Sequence, residues 1–434
     1  MPPRGGDASR ATIGWAALSL AIAIGQAAQD AGVFVTVPLL RPDVQPAHAP
    51  CVSVSANGRF VAFVSAAQLA AGDDDDRDDV YVLDRESGGV SLESAGAAIV
   101  LDQRPVLSAT GRFLVYETVT EGLMLRDRDS GTLRPLRRGR EPPNGSSRGA
   151  SISADGRYIA FSSGATNLVE SFDANGSAED VYVVDTASMT FRRIGAGPSG
   201  RPLADASSFS PDISGDGRFI AFSSTATLDT PRGSRLRTSN AYRYDTQTGV
   251  TTRISVTDTG GPPDGPSYAP AISVDGRFVA FVSDATNLIR RPDRNRLPDV
   301  YVRDTASNVT ELISRTPSGE AANGASRHPA ISDDGRFVVF QSDASDLTCG
   351  ERCGQSDRDI NLVADIFRRD RATGRTELIS RGRTSWMEPS LGPAADRTGR
   401  VIVFVSRHPL DRTDDRHDYD LFVWARHADR DSAR

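Results

Sequence analysis

No lysine occurs among the 434 residues, so all 50 basic side chains are arginine, set against 57 acidic ones for a net charge of −7. Binding nucleic acid regardless of sequence requires a net basic field or a strong basic stripe, and a pI near 5.4 argues against both. Three cysteines, Cys51, Cys349 and Cys353, are too few for a scaffold built on disulfides. Histidine is scarce at five residues, and no Gly-x-Ser-x-Gly elbow is present, which removes an α/β-hydrolase nucleophile. Helical periodicity over ten residues is missing from the body of the chain, so helix-pair solenoids and coiled coils are excluded. Hydrophobic residues make up only 38%, but adding the 39 glycines restores an ordinary globular figure. With 25 prolines as well, the chain is rich in turns yet short of a disordered composition.

The longest apolar run is Ala11 to Gly25, preceded by Arg4 and Arg10 and followed by the small residues Ala27 and Ala28. A basic start, an apolar middle and a small-residue exit form the layout of a secretory signal peptide over residues 1–28. Fifteen helical residues span about 22 Å, short of the roughly 30 Å hydrocarbon core, so no membrane span is expected once the segment is cleaved. An uncleaved anchor is the competing reading. Export to the periplasm or beyond would supply an oxidising compartment, in which Cys349 and Cys353 could close a small loop as a disulfide. Free thiols are the other reading, and zinc lacks its remaining ligands.

Self-similarity is the strongest signal present. A turn of Asp, Asn or Thr followed by Gly-Arg and an apolar or aromatic residue recurs seven times, at Gly58, Gly111, Gly156, Gly217, Gly276, Gly335 and Gly399. The intervals are 53, 45, 61, 59, 59 and 64 residues, a period that belongs to propellers and arrays. Each copy reads as four short strands. In the fifth they are Ala271–Ser273, Arg277–Ser283, Val300–Asp304 and Val309–Ser314, with Asp-Gly as a hairpin turn and β-branched or aromatic residues in alternation. Such a unit cannot bury both faces alone. Seven arranged radially can, giving an all-β, seven-bladed β-propeller of four-stranded antiparallel blades over residues 33–426, with 427–434 as a polar tail. The seventh copy ends without a fourth strand, while an orphan run, Val33–Val37, precedes the first copy at fourth-strand spacing. The last blade is therefore expected to be closed by the N-terminal strand, which removes open edges and favours a monomer.

These residues resemble the WD-like repeat of TolB-type propellers. The likeness lies in the first-strand prolines (Pro105, Pro211, Pro270, Pro329), the Asp-Gly-Arg turn, the Ile-Ala-Phe or Val-Ala-Phe second strand and a third strand ending in Asp. The resemblance implies a propeller fold; the family spans periplasmic scaffolds, propeller domains of prolyl-oligopeptidase-like peptidases and some polysaccharide lyases. Seven turns, where TolB has six blades and an extra N-terminal domain, separate the chain from TolB itself.

An up-and-down blade puts its first and third turns on one face of the ring. There each turn arginine meets the aspartate ending its own blade's third strand, giving the pairs Arg59–Asp84, Arg112–Asp127, Arg157–Asp185, Arg218–Asp245, Arg277–Asp304 and Arg336–Asp370. Blade seven has Ala425 where that aspartate would stand. A ring of anion-binding arginines is the functional alternative to six structural clamps. The opposite face carries acidic loops: Asp73, Asp75 and Asp79; Asp173, Asn175 and Asp180; Asp293, Asn295 and Asp299; Asp359, Asn361 and Asp365. Oxygen ligands at alternate loop positions suit calcium, although Arg77, Arg294 and Arg296 interrupt the pattern and blades two and four lack it. An Asx-turn opening the third strand explains the same aspartates without metal.

No catalytic constellation emerges and no cofactor beyond calcium is implied. The expected function is a secreted or periplasmic, non-enzymatic scaffold that binds a protein or cell-envelope ligand through its acidic loops, with no role for nucleic acid. The alternative is a polysaccharide-active lyase or glycosidase-like enzyme, for which His328, placed in a blade connection, and His408 and His417 would converge on the acidic face.

Overall fold

A computed structural model describes residues 33–38 and 52–426, apart from 76, 95, 101–102, 172, 174, 195–205, 229–234, 292, 349–362, 382–387, 408–409 and 411–418. Residues 33–38 and 235–237 are described by their backbone alone. Cys349, Cys353, Asp359, Asn361, His408, His417 and the segments 1–28 and 427–434 therefore lie outside the described residues.

The chain forms seven four-stranded antiparallel sheets arranged as a propeller. Blade one is Val52–Val54, Phe60–Ser65, Asp79–Asp84 and Val90–Leu92; blade two is Val106–Leu107, Phe113–Thr118, Gly122–Asp127 and Thr132–Pro135. Blade three is Ser147–Ile152, Tyr158–Ser163, Asp180–Asp185 and Thr190–Ile194; blade four is Ser208–Ile213, Phe219–Ala226, Arg235–Asp245 and Thr251–Arg253. Blade five is Ser267–Ile272, Phe278–Ser283, Asp299–Asp304 and Val309–Leu312; blade six is Ser326–Ile331, Phe337–Ser342, Asp365–Asp370 and Arg375–Leu378. Blade seven takes Ser390–Ala395, Val401–Ser406 and Asp420–Ala425, with Val33–Pro38 paired along its outer strand from Val33 opposite Ala425 to Pro38 opposite Asp420. Among the described residues there is no helix, so none long and apolar enough to cross a membrane.

The core is not inside the blades but between them. Each of seven buried clusters draws side chains from two adjacent blades: Val115 and Leu125 of blade two meet Ile159 and Phe161 of blade three, and so on around the ring. The last cluster joins Phe63 and Tyr81 of blade one to Val403 and Leu421 of blade seven. At roughly 1.5–3 kcal/mol per buried large apolar side chain, one boundary outweighs any polar contact in a single blade. Within a blade, the second- and third-strand aromatics stack, as Phe281 does on Tyr301 at 5.9 Å between centroids. A buried serine pair ties inner to second strand in blades three to seven, at 2.8–3.0 Å.

The inner strands begin earlier than expected from the sequence. In blade five the strand is Ser267–Ile272, not Ala271–Ser273, and it contains Pro270. A proline within a run normally counts against a strand, because it donates no hydrogen bond. Here the register shifts between Tyr268 and Ala271, so the bulge absorbs the proline. Blades three, four, six and seven shift at the equivalent place.

Candidate functional site

The turn arginines are occupied by their own blades. Arg59 donates from Nε and Nη2 to the two carboxylate oxygens of Asp84 at 2.9 and 2.7 Å. The same fork joins Arg112 to Asp127, Arg218 to Asp245, Arg277 to Asp304 and Arg336 to Asp370, while Arg157 reaches Asp185 by one bond of 3.1 Å. Each of these guanidinium groups also lies over the next residue's ring, as Arg277 does over Phe278 at 4.6 Å. Fork and stack together need a planar cation, which accounts for arginine rather than lysine at these places. The hydrogen bonds from Arg59 hold Asp84 down to about 2. Further pairs cross between blades: Arg126 and Arg128 of blade two both reach the buried Glu93 of blade one, at 2.6 and 2.8 Å. This face is built for cohesion.

The acidic loops divide by how their charge is met. In blade three, Arg193 Nη1 lies 3.2 Å from Asp173 and 3.3 Å from Asp180, and Asn175 Nδ2 donates to Asp180 at 3.2 Å. In blade five, Asn295 Nδ2 donates to Asp299 at 3.3 Å and to the Ala322 carbonyl at 2.6 Å. Its backbone N–H donates to Asp293 at 2.9 Å. Burial raises Asp180 to about 6, against the opposing pull of Arg193, and raises Asp299 to about 7. Asp365 of blade six is buried and accepts a 2.5 Å bond from Ser380 Oγ. Blade one differs. Asp75 stands where the others have asparagine, so no side-chain amide enters, and carboxylate oxygens of Asp73, Asp75 and Asp79 all lie within 4.8 Å of one another. The Tyr81 hydroxyl donates to Asp73, and the Ser94 hydroxyl to Asp79. Burial raises the Asp79 carboxyl, and the neighbouring Asp73, Asp75 and Asp78 add to it. Three hard oxygen ligands in one loop fit a calcium ion; the sets in blades three and five already hold a guanidinium or an amide in that place.

The third region lies on the axis. On the arginine face, the residues just after the inner strands bond to one another through their backbones: Ala109 N–H to Ala154 O, Ala154 to Gly215, Gly215 to Val274, Asp333 to Arg397, and Arg397 on to Ala56. These five links include the step from blade seven to blade one. At the roughly 4.8 Å spacing of hydrogen-bonded strands, seven such steps set the backbone only about 5 Å from the axis. Higher in the channel, Asp212 of blade four ties three inner strands, accepting from Ser151 Oγ at 2.6 Å and from the Ile272 amide at 2.8 Å. His328 is not in a blade connection, as the sequence reading had it. It sits inside the inner strand of blade six, at the bulge, with φ 53°. Burial lowers its pKa, and the charges of Arg327 and of Arg104 from blade two lower it further.

Sequence reasoning passed over Asp212, Glu93 and Glu117. Glu117 is buried beside blade three, its Oε2 lacks a hydrogen-bond partner, and burial raises it to about 7. It is the one carboxylate at a second-strand position held elsewhere by valine, serine or glutamine, a signal visible once the seven copies are aligned.

No family model matches the chain, and no curated protein matches it. Its fold is similar to that of an oligogalacturonate lyase from Vibrio parahaemolyticus, at 12% identity and a TM-score of 0.55 over 91% of this chain and 97% of that one. An oligogalacturonate lyase in complex with manganese gives 13% identity and 0.55, covering 91% of this chain and 96% of that one. TolB from Acinetobacter baumannii gives 16% identity and a TM-score of 0.42 over 74% of this chain and 66% of that chain, just under two thirds of its length. At identities this low, the likenesses speak to the fold alone.

Proposed function

We propose that the chain is an exported, non-enzymatic binding scaffold that engages a protein or cell-envelope ligand through its acidic loop face. The observation that carries this reading is the contrast between the faces. Arginine-face charge is consumed by forks within and between blades, whereas the blade-one loop presents three converging carboxylates that no guanidinium bridges, Arg77 reaching only the exposed Asp75, at 3.8 Å. A surface of one sign steers partners of the other and makes association sensitive to salt. The same loop is the place for a calcium ion, held by Asp73, Asp75 and Asp79, which would turn local repulsion into a rigid contact surface. Export rests on the layout of residues 1–28.

The test is binding of the immobilised protein to defined envelope fractions at low and high salt, with cell fractionation to locate the chain. Retention that falls with salt and with Asp75→Asn, but not with Arg277→Ala on the other face, is the expected result. Turnover of a polysaccharide in a cleavage screen would replace the scaffold with an enzyme. The likeness to oligogalacturonate lyases makes uronide chains the first substrates to try in that screen.

A further inference from the structure

One ring of positions in the channel is explained by neither face. Around the axis, the bulge position of the inner strands is held by Gly149, Ser210, Ala269, His328 and Gly392 in blades three to seven, and Arg104, ahead of the short inner strand of blade two, stands at the same place in the repeat. Four of the six are glycine, serine or alanine. The long side chains come from blades two and six, which stand nearly opposite each other in a ring of seven, and Arg104 lies close enough for its charge to act on His328. His328 keeps a left-handed backbone, φ 53°, as Ser210 and Ala269 do at 52° and 49°, where blades three and seven use glycine at φ 62° and 54°. A side chain other than glycine costs about 1 kcal/mol in that conformation, and the fold retains it. Arg327, next along the strand, faces Tyr268 and Asp343. Among the described residues no carboxylate is ion-paired with Arg104, and His328 accepts or donates no side-chain hydrogen bond.

The backbone at this level also seeks oxygen. The bulge amide of Gly149 donates to Gln103 Oε1 at 2.9 Å, and that of Gly392 donates to Gln341 Oε1 at 3.2 Å. For His328 the preceding blade offers Tyr268 and Val282 at those two places, and the Tyr268 hydroxyl already donates to Asp284. No side-chain carbonyl is supplied there. A guanidinium group, an imidazole and an amide are thus gathered at the axis, with the channel narrowed below by the ring of backbone bonds.

We propose that this level of the channel is a site for a small oxyanion, a carboxylate or a phosphate, held between Arg104 and His328 and reached from the acidic loop face. The proposal goes beyond the scaffold reading and stands without it, since the site lies on the axis and not on the loops. The neutral imidazole favoured by burial donates one hydrogen bond, and the Arg104 guanidinium supplies the charge.

Calorimetric titration of the full chain with citrate and, separately, with inorganic phosphate at constant ionic strength tests it, with the unfolding midpoint followed alongside. One saturable site is expected, and the tighter probe tells carboxylate from phosphate. Arg104→Ala is expected to weaken binding about tenfold or more, the loss of one charge-assisted contact. His328→Gly removes the imidazole while suiting the backbone, so it should weaken binding with the unfolding midpoint unchanged or raised. Arg277→Ala, on the other face, should leave affinity unaltered. Neither heat nor a shifted midpoint with millimolar probe, or unaltered affinity in the Arg104→Ala, His328→Gly double variant, overturns the site.

Discussion

Gly276 meets two demands at once. Its φ is +72°, and a Cβ there would lie 2.1 Å from the ring of Phe219 in the preceding blade. The turn glycine of each blade presses in this way on the residue after the turn arginine of the blade before, and the series closes with Gly58 against Val401 of blade seven. Gly276→Ala therefore combines left-handed strain with overpacking, and about 2–4 kcal/mol of stability should be lost in urea unfolding. Gly131 is the control: its φ is +71°, but nothing lies within 4 Å of the added carbon, so Gly131→Ala should cost only about 1 kcal/mol. Equal losses at the two positions would remove the contact from the account. The arginine beside each turn glycine makes a different demand. Arg277→Lys keeps the charge but loses the fork to Asp304 and the flat stack on Phe278, so its unfolding midpoint should fall nearly as far as that of Arg277→Ala. A lysine variant as stable as the parent would mean that charge alone suffices.

Strands two and three of every blade could be read from alternation and from the turn that joins them, because each is a half-buried ladder with its own punctuation. The inner strands could not, since a proline inside a bulge looks like a strand end when only one chain is in view. For the same reason His328 reads as loop and proves to be channel wall. The charge partners divide likewise. Arg–Asp pairs follow from strand register, which the turn sets, whereas Arg193 against Asp173 and Asp180 depends on a fourth-strand side chain folding back over a loop. Blade one's loop lacks such a partner, so calcium should raise the unfolding midpoint of the parent by ligand linkage, and Asp75→Asn should abolish the rise. An unmoved midpoint at millimolar calcium would leave the loop as a turn and nothing more. Val33–Pro38 makes a prediction of its own kind. Its backbone pairs with Asp420–Ala425 along six residues, and without it the blade exposes an open edge next to the boundary with blade one. Deleting residues 33–38 should lower the midpoint and promote association, measured by light scattering. A deletion variant that stays monomeric and equally stable would show the strand to be dispensable.

Buried carboxyls and clamped carboxylates pull the stability of the ring in opposite directions as pH changes. Burial raises Glu117 and Asp299 to about 7, and Asp180 and Asp333 to about 6. The folded chain holds protons on these groups that the unfolded chain, with carboxyl pKa values near 4, releases. Their contribution is therefore complete below about 4 and is lost as pH rises through 6 to 7. Asp84 and Asp245, held to about 2 by Arg59 and Arg218, act the other way: their contribution is complete above about 4 and is lost as pH falls toward 2. Stability should peak between these windows, so the urea midpoint at pH 5 should exceed that at pH 8. Net charge moves in the same sense, because −7 near neutrality fades toward the pI of 5.4 and self-repulsion fades with it. Salt separates the two causes, since it screens surface repulsion but not the burial of a carboxylate. In high salt the decline from pH 5 to pH 8 should persist, and Glu117→Gln, which has no proton to lose, should make it shallower. A midpoint that is flat across this range in high salt would show that the buried carboxyls are ionised at no cost, and that the blade boundaries admit more water than their packing implies.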